Sequence, residues 1–416
     1  MSAVEPEVRN DHDALVASAR AHLMRTYPDT DLAFVAGHGS WLVDTAGEEW
    51  LDLLSGISVT ALGHAHPAVA RAVADQAARL VHTSNLFLTA PAVELAGRLA
   101  GLAGFADGRV FFAQCGATAN EAAIKLARRH GKQQHPDKVR IVTLSGGFHG
   151  RTLATLEATG QPAKHAPFAP LAGFVDTVPH DDPAALRAAV GADTCAVLLE
   201  VVQGEGGVRP LSPAMLAAAR EACDTHGALL IADEVQTGVG RTGTWFAFQQ
   251  TDVTPDVVTL AKALGNGLPI GACLAHGAAA DVFRPGDHAT TFGGNPVTAA
   301  AALAVLDTIE QEGILADVAT RAAQLRMGLA DVAARTGGAV REVRGSGLLL
   351  GVVLDAPIAD DVVAHCRSER VIINAVAPDV LRLAPPLTLT AAEADRALDV
   401  LGRAIVAARA DRTETA

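Results

Sequence analysis

One lysine and one aspartate stand in apolar parts of the sequence and are the first candidates for chemistry. Lys262 lies in the run Val257-Val-Thr-Leu-Ala-Lys-Ala-Leu-Gly265, whereas the other four lysines have charged or polar neighbours. Loss of hydration disfavours the ammonium form, so burial lowers the pKa of a lysine and makes its amine a nucleophile. The alternative is a lysine whose stem is buried while its ammonium group stays in solvent.

Asp233 favours the chemical interpretation of Lys262. The segment from Gly227 to Ile231 predicts a short buried strand, and Asp233 follows just beyond its carboxyl end, where open parallel sheets bind ligands. An unpaired carboxylate there would cost several kcal/mol, so a cationic partner is expected. A lysine that forms a Schiff base and a carboxylate that faces a pyridinium nitrogen are the pair that pyridoxal 5′-phosphate (PLP) requires. The alternative for Asp233 is a helix cap or a loop acid.

Composition indicates a globular protein that handles small molecules. The 416 residues can form two or three domains, and half of them are apolar. A net charge of −13 argues against nucleic acid and against an anionic membrane surface as partners. The five cysteines form no C-x-x-C pair, which argues against a zinc site or a disulfide framework. The acidic N-terminus argues against a secretory signal, and no apolar run approaches the length of a spanning helix. A cytoplasmic protein is therefore expected.

Short apolar runs alternate with alanine-rich helical stretches through the middle of the chain. The strand-like runs are 110–112, 139–143, 196–200 and 228–231. This alternation is typical of βαβ units and predicts an α/β fold with a mainly parallel central sheet. Further predictions are a polar, partly helical arm over residues 1–30, two short strands within 41–54, helices over 67–82 and 295–311, paired strands within 340–354 and a C-terminal helix of about 25 residues.

Eight segments, spread from about residue 62 to residue 386, resemble those of one enzyme family. The segments are Leu62-Gly-His-Ala-His-Pro67, Asn120-Glu-Ala-Ala-Ile-Lys-Leu-Ala-Arg128, Phe148-His-Gly-Arg-Thr152, Gln203-Gly-Glu-Gly-Gly207, residues 233–243, Leu260-Ala-Lys262, Thr291-Phe-Gly-Gly-Asn-Pro296 and Leu381-Arg-Leu-Ala-Pro-Pro386. The chain resembles the class III (subgroup II) PLP-dependent aminotransferases of fold type I.

The resemblance implies a particular domain organisation. Residues 61–305 would form the large PLP-binding domain. Residues 1–60, an arm with strands, and the C-terminal residues 306–416 would form a smaller α+β domain. A homodimer with shared active sites is expected as well.

The resemblance also implies roles for individual residues. Lys262 would hold the cofactor and shuttle protons, and Asp233 would face the ring nitrogen. The other implied cofactor ligands are Gly116, Ala117, Phe148, Val235, Gln236 and, from the neighbouring subunit, Thr291. The implied substrate-binding residues are Arg151, Thr290, Arg382 and Glu205, with Glu205 able to pair with Arg382. The chain departs from the family at Cys115, where serine is usual, and at Thr118, where glutamate is usual.

The implied activity is transfer of the terminal amino group of N2-acetylornithine to 2-oxoglutarate, an aminotransfer step of arginine biosynthesis. Ornithine, succinylornithine, succinyl-diaminopimelate and 4-aminobutyrate are alternative donors, and a racemase or aminomutase would use the same cofactor residues. A non-catalytic binding protein is disfavoured because Lys262 and Asp233 are both present.

Two other motifs point to different chemistry. Gly238-Val-Gly-Arg-Thr-Gly243 matches a dinucleotide fingerprint, but no clear helix start follows it, so an NAD-dependent oxidoreductase is disfavoured. His64 and His66 precede Pro67 at a spacing that suits a turn better than a metal site, and no metal is expected.

Overall fold

The computed structural model of the chain describes residues 12–415, and the first eleven residues of the expected arm lie outside this range. The strands are β1 (Phe34–His38), β2 (Trp41–Asp44), β3 (Glu49–Asp52), β4 (Arg109–Ala113), β5 (Arg140–Leu144), β6 (Val175–Val178), β7 (Thr194–Leu199), β8 (Val202–Gln203), β9 (Arg209–Pro210), β10 (Leu229–Asp233), β11 (Val257–Leu260), β12 (Gly271–Ala275), β13 (Val340–Ser346), β14 (Leu349–Leu354), β15 (Val371–Ile372), β16 (Asn374–Ala377) and β17 (Val380–Leu383).

The helices, in chain order, are α1 (His12–His22), α2 (Ser55–Ser58), α3 (Pro67–Arg79), α4 (Ala90–Ala103), α5 (Gly116–Gln134), α6 (Leu153–Ala158), α7 (Pro162–His165), α8 (Pro183–Ala189), α9 (Pro213–His226), α10 (Pro296–Gln311), α11 (Ile314–Arg335), α12 (Ala359–Ser368) and α13 (Ala391–Thr415). Short 3-10 helices span Ala166–Phe168, Ala247–Gln250, Lys262–Gly265 and Gly277–Ala279.

Seven strands form the largest sheet, in the order β4-β12-β11-β10-β7-β5-β6. Its pairs are parallel from β11 to β6, while β12 runs antiparallel to both of its neighbours. The prediction of an α/β fold with a mainly parallel sheet is therefore confirmed. The antiparallel strand β12 was not predicted, because it does not belong to the βαβ pattern.

Two four-stranded sheets are built from the ends of the chain. One has the order β1-β2-β3-β15, in which β15 pairs in parallel with β3, and the other has the order β13-β14-β17-β16. The first of these sheets joins the N-terminal strands to a strand from the C-terminal segment, as expected for a smaller α+β unit. The domain boundaries at residues 60 and 305 stay a prediction.

The chain forms its helices where apolar spacing and end signals agree. Helix α10 begins after Asn295, whose side-chain oxygen accepts hydrogen bonds from the N–H groups of Val297 and Thr298. Helix α9 ends at Gly227, whose φ of 64° suits a left-handed cap and turns the chain into β10. Helix α3 begins at the expected residue and ends at Arg79, three residues earlier than predicted.

Helix α5 packs closely against the large sheet. A Cβ atom at Gly131 would lie 2.1 Å from the carbonyl oxygen of Lys138 and 2.7 Å from the Cβ of Cys195, so only glycine fits there. The opposite end of α5 begins at Gly116, next to the carboxyl ends of the parallel strands. Across residues 12–415, we find no helix with the length and apolarity that a bilayer crossing requires.

Candidate active site

A cavity of about 390 Å³ opens at the carboxyl edge of the large sheet. Nine of the predicted site residues line it: Gly116, Ala117, Phe148, Arg151, Glu205, Asp233, Val235, Gln236 and Lys262. Arg382 reaches the same place from β17 through contacts with two of these residues. Thr290 and Thr291 are not among the lining residues of this single chain.

Lys262 faces the cavity from the connection between β11 and β12. Its φ of 43° is strained for a residue with a side chain, and such strain is typical of functional positions. The side chain of Asn266 fixes this connection, since it accepts a hydrogen bond from the N–H of Leu62 and donates one to the carbonyl oxygen of Gly63. Within residues 12–415, the structure records no hydrogen bond or ion pair for the Lys262 amine.

The environment of Lys262 shifts its equilibrium toward the neutral amine. Burial, followed by the positive charge of Arg382, lowers the pKa of Lys262 to about 8. The fraction of free amine at neutral pH is therefore roughly two orders of magnitude larger than for an ordinary lysine. A partly desolvated amine of this kind is a suitable nucleophile and proton carrier.

Asp233 is the last residue of β10 rather than the residue beyond the strand, and it is only 3% exposed. Its Oδ2 accepts hydrogen bonds from Nδ2 of Asn120 at 2.7 Å and from Nδ1 of His149 at 2.8 Å. Its Oδ1 accepts a third from the N–H of Val235. Asn120 is held in turn by the hydroxyl of Thr259, which donates to Asn120 Oδ1 at 2.7 Å. These bonds orient the carboxylate rigidly toward the cavity.

Glu200 lies beside Asp233, because the parallel register pairs Ala232 with Leu199. Its two oxygens accept hydrogen bonds from the N–H groups of Phe148, at 2.9 Å, and Gly204, at 3.2 Å. Glu200 thereby joins the loop that carries Phe148 to the loop that carries Glu205. Burial, with the negative charge of Asp233, raises the pKa of Glu200 above its usual range.

His149 is enclosed by these two carboxylates. Burial alone would lower the pKa of His149, but the hydrogen bond and charge of Asp233, together with the charge of Glu200, raise it overall. Nδ1 of His149 and Oδ2 of Asp233 lie 2.8 Å apart. Because the pKa of His149 is raised, this pairing can supply the cationic partner that a buried aspartate requires.

The start of α5 provides backbone N–H groups next to the cavity, an arrangement that suits a phosphate. The Cβ of an alanine at position 116 would lie 2.7 Å from Cγ1 of Val235, which explains the need for Gly116. The hydroxyl of Thr118 accepts hydrogen bonds from the N–H groups of Gln114 and Cys115, both at 3.1 Å. The departures from the family pattern at Cys115 and Thr118 therefore leave a well-formed helix start.

Arg382 is 1% exposed and lies on β17, which belongs to one of the smaller sheets. Its Nη1 donates to Oε1 of Glu205 at 2.6 Å, and its Nε donates to Oδ1 of Asn374 at 3.2 Å. Nη1 also lies 3.5 Å from Oε1 of Gln236. Burial alone would raise the pKa of Glu205, but the charge and hydrogen bond of Arg382 lower it overall. The pair joins a buried arginine to a partly exposed carboxylate.

The two predicted threonines do not line the cavity in this chain, although Thr290 contacts Gln114, which does. The hydroxyl of Thr290 accepts hydrogen bonds from Nε2 of Gln114 and from the N–H of Gly293, while Thr291 is exposed. Their expected roles involve the neighbouring subunit for Thr291 and the substrate for Thr290. Both roles stay predictions.

The residues of the two competing motifs have structural contacts. The segment 238–243 forms turns, and the 3-10 helix that follows begins only at Ala247, so no helix opens directly on the glycines. Arg241 within it is buried and donates hydrogen bonds to the carbonyl oxygens of Leu348 and Pro385. His64 contacts Oδ2 of Asp52 at 2.8 Å.

The cavity fits the cofactor that the resemblance implies. Lys262 offers an amine without a recorded partner, Asp233 offers a buried and oriented carboxylate, and the start of α5 offers N–H groups. Nε2 of Gln236 is buried without a hydrogen-bond partner among the residues that the structure describes, so it can donate to a ligand. In PLP, the amine would meet the aldehyde and the carboxylate the pyridinium nitrogen. The N–H groups would meet the phosphate, and Nε2 of Gln236 the ring hydroxyl.

Three residues of the site were not singled out from the sequence: Asn120, His149 and Glu200. The sequence did contain a signal for Glu200. It ends the apolar run 196–200, just as Asp233 comes after the apolar run 228–231. His149 stands next to Phe148 in a glycine-flanked loop, yet nothing local shows that its partner is Asp233. The role of Asn120 depends wholly on tertiary placement.

Comparison with known proteins gives one consistent result. The family model for class III aminotransferases matches residues 24–405. An acetylornithine aminotransferase of Streptomyces coelicolor is 52% identical over 88% of this chain and 89% of its own length. The crystal structure of N-acetylornithine aminotransferase from Stenotrophomonas maltophilia is 38% identical with a TM-score of 0.82, covering 95% of this chain and all of that one. That of an ornithine aminotransferase from Toxoplasma gondii is 30% identical with a TM-score of 0.91, covering 96% of each chain. The sequence, the cavity and these similarities together show that the chain belongs to the class III aminotransferase family.

Proposed function

We propose that the protein transfers the terminal amino group of N2-acetylornithine to 2-oxoglutarate, giving N-acetylglutamate semialdehyde and glutamate. The observation that carries this proposal is the Arg382–Glu205 pair in the same cavity as Lys262 and Asp233. The 52% identity with an acetylornithine aminotransferase supports this donor. Ornithine is the second candidate donor, because the TM-score with an ornithine aminotransferase is 0.91.

Class III aminotransferases use PLP, which supplies an electron sink for the pair released when a substrate carbon loses its proton. Lys262 would hold this cofactor and, once released by the incoming amine, would move the proton at the reacting carbon through its Nζ. Asp233 would keep a proton on the ring nitrogen, and Asn120 and His149 would keep its carboxylate aligned. Phe148 and Val235 would pack on the ring, and Gly116 and Ala117 would bind the phosphate.

The Arg382–Glu205 pair can serve two chemically different substrates. Glutamate and 2-oxoglutarate carry a carboxylate next to the reacting carbon, and this group would take the place of Glu205 on the guanidinium. The terminal amine of acetylornithine has no carboxylate nearby, so Glu205 would return to Arg382. A buried arginine then has an anionic partner in both halves of the reaction.

A surface next to Thr291 supports the homodimer with shared active sites. Leu86 and Leu88 are 86% and 90% exposed, and Phe292 is exposed as well. Asn85 donates hydrogen bonds to the carbonyl oxygens of Thr290 and Gly293, which joins the two segments into one apolar surface. Exposed apolar surface of this kind favours a partner, and a second copy would bring Thr291 to the phosphate of the neighbouring site and Thr290 to its substrate.

A cytoplasmic location is the accompanying proposal. All five cysteines are unpaired, as is typical of proteins in a reducing compartment. Detection of the protein in a membrane or secreted fraction of the source cells would contradict this assignment.

The first prediction concerns Lys262 and Asp233. Lys262→Ala should abolish the visible absorbance that the purified protein shows with PLP, because the covalent link is lost. Asp233→Asn should keep that absorbance but lower turnover by about 10²–10³-fold, because the charge that stabilises the protonated ring is removed. Absorbance spectra and steady-state rates check both, and a wild-type rate in Asp233→Asn would contradict the assigned role.

The second prediction concerns the amine donor. With 2-oxoglutarate as acceptor, kcat/KM should be higher for N2-acetylornithine than for ornithine or 4-aminobutyrate. A coupled assay of glutamate formation measures all three donors. A higher kcat/KM for ornithine or 4-aminobutyrate would refute the proposed donor while leaving the aminotransferase chemistry intact.

The third prediction concerns Arg382. Arg382→Ala should lower kcat/KM for 2-oxoglutarate by about ten- to a hundredfold, because one charge-assisted hydrogen-bonded pair is lost. The effect on the amine donor should be smaller, since that substrate leaves Arg382 paired with Glu205. Arg382→Lys keeps the charge without the bidentate geometry, so its kcat/KM for 2-oxoglutarate should lie between those of wild type and Arg382→Ala. An unchanged KM for the oxo acid would rule out this role.

The fourth prediction tests the shared site. Thr291→Ala should bind PLP more weakly, so the variant should be poorly active at limiting cofactor. When the Thr291→Ala and Lys262→Ala proteins are mixed, roughly a quarter of all active sites should become native again. One site of each mixed dimer then contains both native residues. A mixture of Lys262→Ala with Asp233→Asn is the control and should regain nothing. No recovery with Thr291→Ala would place that threonine outside the partner's site.

A further inference from the structure

Two cations meet the ring of Phe148 at the cavity. Cζ of Arg151 and Nζ of Lys164 each lie 5.7 Å from the ring centroid. Phe148 and Arg151 line the cavity, and Lys164 approaches from the short helix α7. Lys164 does not itself line the cavity, but it lies close enough to Arg151 and Glu205, which do, for their charges to act on it.

The ammonium group of Lys164 is held in position. Its Nζ donates a hydrogen bond to Oε1 of Gln161. Nε2 of Gln161 in turn donates to the carbonyl oxygens of Gly146 and Gly147, at 3.2 and 3.3 Å. Because these glycines belong to the loop that carries Phe148, the loop and the ammonium form one unit.

Positive charge exceeds negative charge around this unit. Within residues 12–415, neither Arg151 nor Lys164 forms an ion pair with a carboxylate. The carboxylate whose charge acts on Lys164 is Glu205, and Glu205 already pairs with Arg382. Arg151 and Lys164 therefore add two positive charges without a carboxylate partner of their own, in a chain of net charge −13. Burial and then the charge of Arg151 lower the pKa of Lys164, as expected for an ammonium that lacks an anion.

We propose that Lys164 is a specificity-determining residue that binds, together with Arg151, the carboxylate at the far end of the substrate. This inference rests on the proposed function. The α-carboxylate of acetylornithine lies at the end opposite the reacting amine. The second carboxylate of glutamate lies opposite the one that pairs with Arg382. A doubly anionic 2-oxoglutarate also balances the two excess positive charges.

The experiment compares two amine donors that differ only in this carboxylate. N-acetylputrescine is N2-acetylornithine without its α-carboxylate, and it retains the reacting amine and the acetyl group. The holoenzyme is assayed as wild type, Lys164→Met, Lys164→Arg and Lys132→Met. Methionine keeps the length of the side chain but removes the charge, and Lys132 is an exposed lysine on α5 that serves as control.

Lys164→Met should lower kcat/KM for N2-acetylornithine about tenfold and for N-acetylputrescine less than twofold, since one charge-assisted contact is removed. Lys164→Arg should recover most of the loss, and Lys132→Met should match wild type. Glutarate, which binds without turnover, should show about tenfold weaker affinity for Lys164→Met by calorimetry. An equal fall for both donors would overturn the inference, because it would show that Lys164 only supports Phe148.

The outcome for Lys164 can be separated from the outcome for the proposed function. If wild type prefers N2-acetylornithine and Lys164→Met keeps the wild-type ratio between the two donors, only the role of Lys164 fails. If wild type does not use N2-acetylornithine, the proposed donor is wrong, and the glutarate affinities then decide the role of Lys164.

Discussion

The site depends on holding one buried carboxylate in place at the edge of a sheet. Asp233 is only 3% exposed, so its oxygens need hydrogen-bond partners within the protein. Asn120, His149 and the N–H of Val235 supply these partners by donating to both oxygens of the carboxylate. The donors come from helix α5, from the loop after β5 and from the strand end itself. The orientation of Asp233 therefore requires β10, the loop after β5 and helix α5 to be packed together.

The proposed substrate recognition depends on a second structural unit. Arg382 comes from β17, and Asn374, which accepts a hydrogen bond from its Nε, comes from the neighbouring strand β16. Of the other partners of Arg382, Glu205 comes from the turn between β8 and β9 and Gln236 from the loop after β10. Arg382 thus joins the residues of the cavity only when its smaller sheet is packed against the large one. Arg241, through its bonds to Leu348 and Pro385, is one of the contacts that hold the two together.

Much of this organisation could be predicted from the sequence, because strands, helices and the main motifs are local patterns. The run before Asp233 predicted β10, and nine of the residues that the resemblance implies line one cavity. The direction of β12 could not be predicted, since strand direction depends on the path of the chain. The partners of Asp233 were missed because His149 and Asn120 lie 84 and 113 residues away from it. The roles expected of Thr290 and Thr291 stay predictions, since neither residue lines the cavity of its own chain.

The connection that carries Lys262 has a consequence for how the reaction is carried out. Strand β11 ends two residues before the lysine, and β12, which pairs directly with β11, begins nine residues after it. Asn266 ties the intervening backbone to Leu62 and Gly63. With the main chain anchored on both sides, the amine can travel only by rotation within its four-carbon stem. In the proposed reaction no loop would need to open or close at this position, and side-chain length would set how far Lys262 can carry a proton.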